Sequence, residues 1–168
     1  MHDKLKLLLD KIKLPEKYYS FFECGKILKL KLDSTRKNGV FVIEVENIIE
    51  KEVFDFISNN IHSSFKDMHS MKASFVVRNI NYNEALKYYP DAIDNSTLTK
   101  PMKELFKEKK VSISDNNLVV EIDNVAEENI LTNNSDSILS YFKSIGFDNI
   151  KLDFNINLEN SKMVREEL

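Results

Sequence analysis

The chain repeats itself, and this constrains its fold more than any other feature. Val42-Ile43-Glu44-Val45-Glu46-Asn47 is matched by Val119-Val120-Glu121-Ile122-Asp123-Asn124. Phe65-Lys66 is matched by Phe142-Lys143, and Lys72-Ala73-Ser74-Phe75 by Lys151-Leu152-Asp153-Phe154, in the same order. Chance resemblance of two strand-to-helix caps is the alternative, but three matches in one order favour a repeat, and a repeat implies the same elements in both copies. Both halves read as helix, strand, strand, helix or helices, strand. Two units share 168 residues, so each core is small, and small domains bury a smaller fraction of their surface.

Periodicity supplies the elements. Leu5, Leu8, Leu9 and Ile12 fall on one face of a helix over Asp3–Ile12. Pro15 ends it or opens a second short helix through Phe22, and Gly25 breaks the chain. Ile27–Leu32 alternates, with Leu28, Leu30 and Leu32 on one side and Lys29 and Lys31 on the other, as a half-buried strand would. A turn over Ser34–Gly39 leads into a β-branched strand, Val40–Val45. Asn47 is placed to cap the next helix, which carries Ile49, Val53, Ile57 and Ile61 on one face. Phe65 is expected near that helix's end, and Lys72–Val77 is the third strand.

In the second half, a short helix over Glu84–Tyr89 is expected to stop at Pro90. Thr99 and Pro101 open another, which runs to about Lys109. Val111–Ser114 and Leu118–Ile122 form a hairpin around Asp115-Asn116-Asn117. Asn124 caps a helical turn, Ser135–Ile145 is a helix closed by Gly146, and Ile150–Ile156 is the last strand.

The expected architecture is α+β: two tandem small αββααβ domains of the type II KH-like kind, residues 1–78 and 79–160, with a polar tail over 161–168 that looks truncated. A KH domain that grips nucleic acid needs a GxxG loop to clamp the backbone. Neither half has one, and Glu46–Lys51 and Asp123–Glu128, which lead from strand to helix, are acidic.

Composition narrows the function. With one cysteine there is no internal disulfide, which fits a reducing compartment. No apolar run is long enough to span a bilayer and none resembles a secretory signal, so the cytoplasm is the expected location. His2, His62 and His69 have no metal-ligand spacing, and no phosphate-binding or nucleophile motif occurs. Cys24 reads as a small semi-buried apolar residue. Glu44 with Glu46, and Glu121 with Asp123, read as a solvated strand face. No catalytic residue, metal or cofactor is implied. The net charge of −3 is uneven: residues 1–78 hold 14 Lys/Arg against 11 Asp/Glu (+3), and residues 79–168 hold 10 against 16 (−6).

Two basic features could contact phosphates: Lys29, Lys31, Arg36 and Lys37 along a strand and its turn, and Lys100, Lys103, Lys107 and Lys110 at helical spacing. A solvated face is the favoured reading of both, since Glu104 and Glu108 interleave the second stripe and strand lysines also guard a sheet edge. The stripe of Leu5, Leu8 and Leu9, and the aromatic group Tyr18, Tyr19 and Phe22, read either as core or as a surface for a partner.

Read together, several segments resemble the amino-terminal region, domains NI and NII, of the PolC-type DNA polymerase III α subunit of low-GC Gram-positive bacteria. They are Leu9-Asp-Lys-Ile-Lys-Leu14, Ala85-Leu-Lys-Tyr-Tyr89 with Ile93-Asp94, Leu98-Thr-Lys-Pro-Met-Lys103, Phe106-Lys-Glu-Lys-Lys-Val111 and Ser144-Ile-Gly-Phe-Asp148. The resemblance implies a non-catalytic piece of a DNA-directed DNA polymerase with 3′–5′ exonuclease, lying ahead of its catalytic modules. Its first domain would look like the polymerase-binding domain (domain V) of the clamp-loader tau subunit. It implies a protein-interaction role in the replisome with tau as partner or, alternatively, auxiliary binding of single- or double-stranded DNA. It carries over no functional residue.

Overall fold

The computed structural model describes residues 2–157. The chain divides into two compact units, Met1–Asn81 with Lys143–Asp148, and Tyr82–Phe142 with Asn149–Leu168. The polar tail lies outside the described residues.

In the first unit, α1 (Asp3–Ile12) buries Leu5, Leu8, Leu9 and Ile12 and ends at Lys13 in the left-handed region. A 3-10 helix follows over Glu16–Phe22, entered from Pro15, and buries Phe22. Strands β1 (Lys26–Leu32), β2 (Asn38–Asn47) and β3 (Ser70–Asn79) form a sheet in that order, β1–β2 antiparallel and β2–β3 parallel. A parallel neighbour requires a crossover, which α2 (Lys51–Asn60) and a 3-10 turn at His62–Ser64 provide. The core gathers Ile43, Val45, Phe75 and Val77 from the sheet with Val53, Ile57 and Ile61 from the crossover.

The second unit has α3 (Ala85–Asp94), α4 (Lys100–Lys107), β4 (Val111–Ser114), β5 (Asn117–Ile122), α5 (Val125–Asn133), α6 (Ser135–Ile145) as far as Phe142, and β6 (Lys151–Ile156). Its sheet has the order β4-β5-β6, with β4–β5 antiparallel and β5–β6 parallel. The repeat therefore extends to register. Ile43 pairs with Phe75 in the first sheet, and their counterparts Val120 and Phe154 pair in the second. A one-residue slip would exchange the two faces of a strand, so the same hydrophobic pattern selects the same register twice.

Several local expectations are corrected. Asn47 does not cap α2: it ends β2, and the residue at the cap is Glu50, whose side chain makes no cap hydrogen bond. Phe65 lies beyond the 3-10 turn rather than in a helix, whereas its counterpart Phe142 is inside α6. Pro90 does not stop α3, which continues to Asp94. A proline in a helix deprives the carbonyl four residues earlier of its partner. Here that residue is the exposed Leu86, where water can serve, while Tyr88, Tyr89, Ala92 and Ile93 anchor both sides of the proline in the core. Thr99 stands at the cap of α4 but makes no side-chain cap bond. Gly146 does follow α6, at φ +120°, and its N–H donates to the carbonyl of Lys143.

Candidate partner-binding groove

The largest departure from the sequence reading is β1. Leu28, Leu30 and Leu32 were expected on the buried side of a strand, yet they are 42%, 43% and 46% exposed. Two causes act together. β1 is an edge strand, and its pairing with β2 shifts register between Ile27 and Lys29, so Leu28 is an extra residue that interrupts the alternation. Beyond the bulge, Leu30 stands opposite Phe41 and Leu32 opposite Gly39. No helix among the described residues covers them.

Between β1 and α1 runs a groove of about 470 Å³, lined by Lys4, Leu7, Leu8, Lys11, Ile27, Leu28, Lys29, Leu30, Phe41 and Phe65. Lys4, Leu7, Leu8 and Lys11 stand at the i, i+3, i+4, i+7 spacing of one helical stripe. Its outer leucine, Leu7, is 69% exposed. The Phe41 and Phe65 rings meet at 5.5 Å, and the Lys11 ammonium lies over the Phe65 ring, 4.8 Å from its centre. Lys4, Lys11 and Lys29 form no ion pair among the described residues. The groove is therefore apolar in its walls and positive at its rim.

Of the six residues considered for a partner surface, Leu5, Leu9 and Phe22 are fully buried, and Leu8, nearly so, forms part of the groove wall. Tyr18 and Tyr19 are half-buried, and each hydroxyl is taken up within the unit. Tyr18 donates to Glu52 at 2.9 Å and Tyr19 to Asp10. Burial first, then the Asp10 carboxylate, pushes the Tyr19 hydroxyl up to about 12. Leu7, Leu28, Leu30, Phe41 and Phe65 were missed as a site. The available signal was the excess of leucine beside an edge strand that carried lysines.

The basic features separate. Lys29, Lys31, Arg36 and Lys37 are exposed, and the register adds Lys72, since Val40 pairs with Lys31 on one side and Lys72 on the other. The β1–β2 turn is built on Asp33. Its carboxylate accepts from the Asn38 side chain at 2.7 Å, the Thr35 hydroxyl at 2.9 Å and the backbone N–H groups of Lys37 and Asn38. The Asn38 side chain does most to hold that carboxyl down to about 2. Arg36 occupies the left-handed region, at φ 57°. The other stripe does not hold together. α4 ends at Lys107, leaving Lys110 beyond the helix, and Lys107 pairs with Asp94 at 2.9 Å.

The strand-to-helix acids are structural. Asn124 Oδ1 accepts from the Glu127 N–H at 2.9 Å, and Glu127 Oε1 accepts from the Asp123 N–H at 2.8 Å, a capping box in which the glutamate reaches the residue before the cap. Lys109 Nζ reaches Asp123 at 3.0 Å and Glu127 at 2.8 Å. Burial works to lower the Lys109 ammonium, but Glu127 and Asp123 outweigh it and raise it. In the first unit Glu44 accepts from Arg78 Nε at 2.9 Å. Cys24 is exposed rather than semi-buried. Among the described residues no cluster of three or more His, Cys, Asp or Glu could hold a metal, and no helix is long and apolar enough to cross a membrane.

Comparison with known proteins agrees with this two-part organisation. Residues 4–75 match the family described as DNA polymerase III polC-type N-terminus I, and residues 87–168 match DNA polymerase III polC-type N-terminus II. A Staphylococcus epidermidis DNA polymerase III PolC-type is 25% identical over 162 residues, covering 94% of this chain and 11% of that protein. A Staphylococcus aureus DNA polymerase III PolC-type is 28% identical over 158 residues, covering 92% of this chain and 11% of that protein. The chain thus spans about a ninth of these relatives. Over residues 4–75 and 87–168 it belongs to the N-terminal region of the PolC-type DNA polymerase III family.

Proposed function

We propose that the chain is a non-catalytic N-terminal module of a replicative DNA polymerase. It tethers the polymerase within a cytoplasmic replisome by protein–protein contact, with the clamp-loader tau subunit as partner and the rest of the polymerase chain as covalent neighbour. The observation that carries this reading is the contiguous apolar surface of Leu7, Leu28 and Leu30 around the groove, with Leu32 next along β1. Scattered exposed leucines are ordinary, but a cluster rimmed by charge marks an interaction surface. Calorimetry of the chain with tau should show saturable binding, and deletion of these residues should impair holoenzyme assembly. No binding together with intact assembly would end the proposal.

A second reading has one observation of its own. The Lys31–Val40–Lys72 row joins Lys29, Arg36 and Lys37 on a region with three more basic than acidic residues. As an auxiliary DNA contact it predicts binding of single- or double-stranded DNA that weakens steeply with salt. No gel shift at low salt would remove it.

A further inference from the structure

We propose that the groove between α1 and β1 takes an acidic amphipathic helix of a partner protein, an inference that rests on the tethering role proposed above. The occupant is read from charge and from the edge geometry. The groove offers an apolar floor and three lysines, Lys4, Lys11 and Lys29, that have no carboxylate partner among the described residues. Its complement is an apolar stripe flanked by Asp or Glu. Lys4 and Lys11 are seven residues apart on one helix, about 10 Å along its axis. A facing helix places carboxylates at that separation when they too stand about two turns apart.

An added β-strand fits less well. Strand addition needs a regular edge, and the Leu28 bulge breaks the hydrogen-bond spacing of β1 while Lys29 and Lys31 guard it. A helix laid across Leu28 and Leu30 beside α1 needs no backbone pairing and meets side chains only. A second copy of this chain is disfavoured by charge, since a two-fold contact through the groove would bring the lysines of one copy against those of the other.

The test uses the 168-residue chain and a synthetic helix with leucines at i, i+3, i+4 and i+7 and glutamates at both ends of that stripe, followed by fluorescence anisotropy. The expected result is saturable binding, weakened about tenfold or more by Lys4→Glu with Lys11→Glu or by Leu30→Ser, and weakened by salt. The same leucines flanked by lysines should not bind. Equal binding of the lysine-flanked peptide, or of a proline-broken peptide of the same composition, would overturn the inference. So would a dimer, seen by light scattering, that Leu30→Ser dissolves. Tau binding that ignores both substitutions would remove the groove and leave the tether standing. Peptide binding without any tau binding would do the reverse.

Discussion

The two units share an order of strands and a register, yet they treat their edges and their strand-to-helix junctions differently. Each edge strand has a helix beside it, α1 at β1 and α3 at β4, but in the second unit β4 reads Val-Ser-Ile-Ser with its apolar residues half-buried. In the first, the longer β1 leaves three leucines exposed behind a bulge. The junctions differ in the same direction. The second unit locks α5 with a capping box and a lysine bridging two acids, while α2 begins without any side-chain cap. One topology thus supports a closed, well-latched unit and an open-edged one, and the open edge is where an interaction surface can form.

The comparison can be broken at four points. The largest effects belong to the matched core pair. Ile43→Ala should cost about 2–5 kcal/mol in denaturant unfolding. Val120→Ala should cost less, because fewer atoms leave and its partner Phe154 is only half-buried, whereas Phe75 is 2% exposed. Equal losses would mean that the half-buried Phe154 supports Val120 as fully as the buried Phe75 supports Ile43. Next, Lys109→Met should cost about 1–3 kcal/mol by stranding the nearly buried Glu127. Because the folded ammonium is raised, its contribution is present below the ordinary 10.5 and fades as pH climbs through the higher folded value. A wild-type unfolding series at alkaline pH that shows no more loss than Lys109→Met would contradict this.

A smaller contrast tests the junctions directly. Asn124→Ala should cost about 1 kcal/mol by removing a cap. Its repeat counterpart Asn47→Ala should stay within about 0.5 kcal/mol, as surface changes do. Similar losses would show that the capping difference has no energetic weight. The smallest effect concerns the β1–β2 turn. The Asp33 carboxyl should titrate by NMR near 2, below its ordinary 3.8. The turn's contribution is therefore intact above 3.8 and lost as pH falls through about 2. Asn38→Ala should move that midpoint upward, since Asn38 contributes most.

Much of the fold was legible because it rests on local patterns. The helical stripe of α1, the alternation in β5, the boundaries of α6 and the repeat itself all follow from side-chain spacing. Single residues that respond to tertiary context were less legible. Pro90 looked like a stop because helix propensity is local, while the burial of residues on both sides of it is not. Asn47 looked like a cap because asparagine is a favoured cap residue ahead of a helical pattern, but β2 runs through it before the chain bends. The groove was hidden for the same reason. Alternation shows that Leu30 and Lys31 face opposite ways, but whether anything covers Leu30 depends on where α1 lies. The Lys100–Lys110 stripe looked continuous only because the sequence does not show α4 ending at Lys107.

The shared register also records how the chain has changed length. Phe142 and Lys151 are nine positions apart, whereas Phe65 and Lys72 are seven. The difference falls before the last strand of each unit, and from Lys72 and Lys151 onward the pairing is back in step. The difference in length therefore falls between the last helical segment and the last strand and is kept out of the paired strands. A new peptide tag or reporter placed at that position in the first unit, among residues 66–69, would follow a change in length that the second copy already carries.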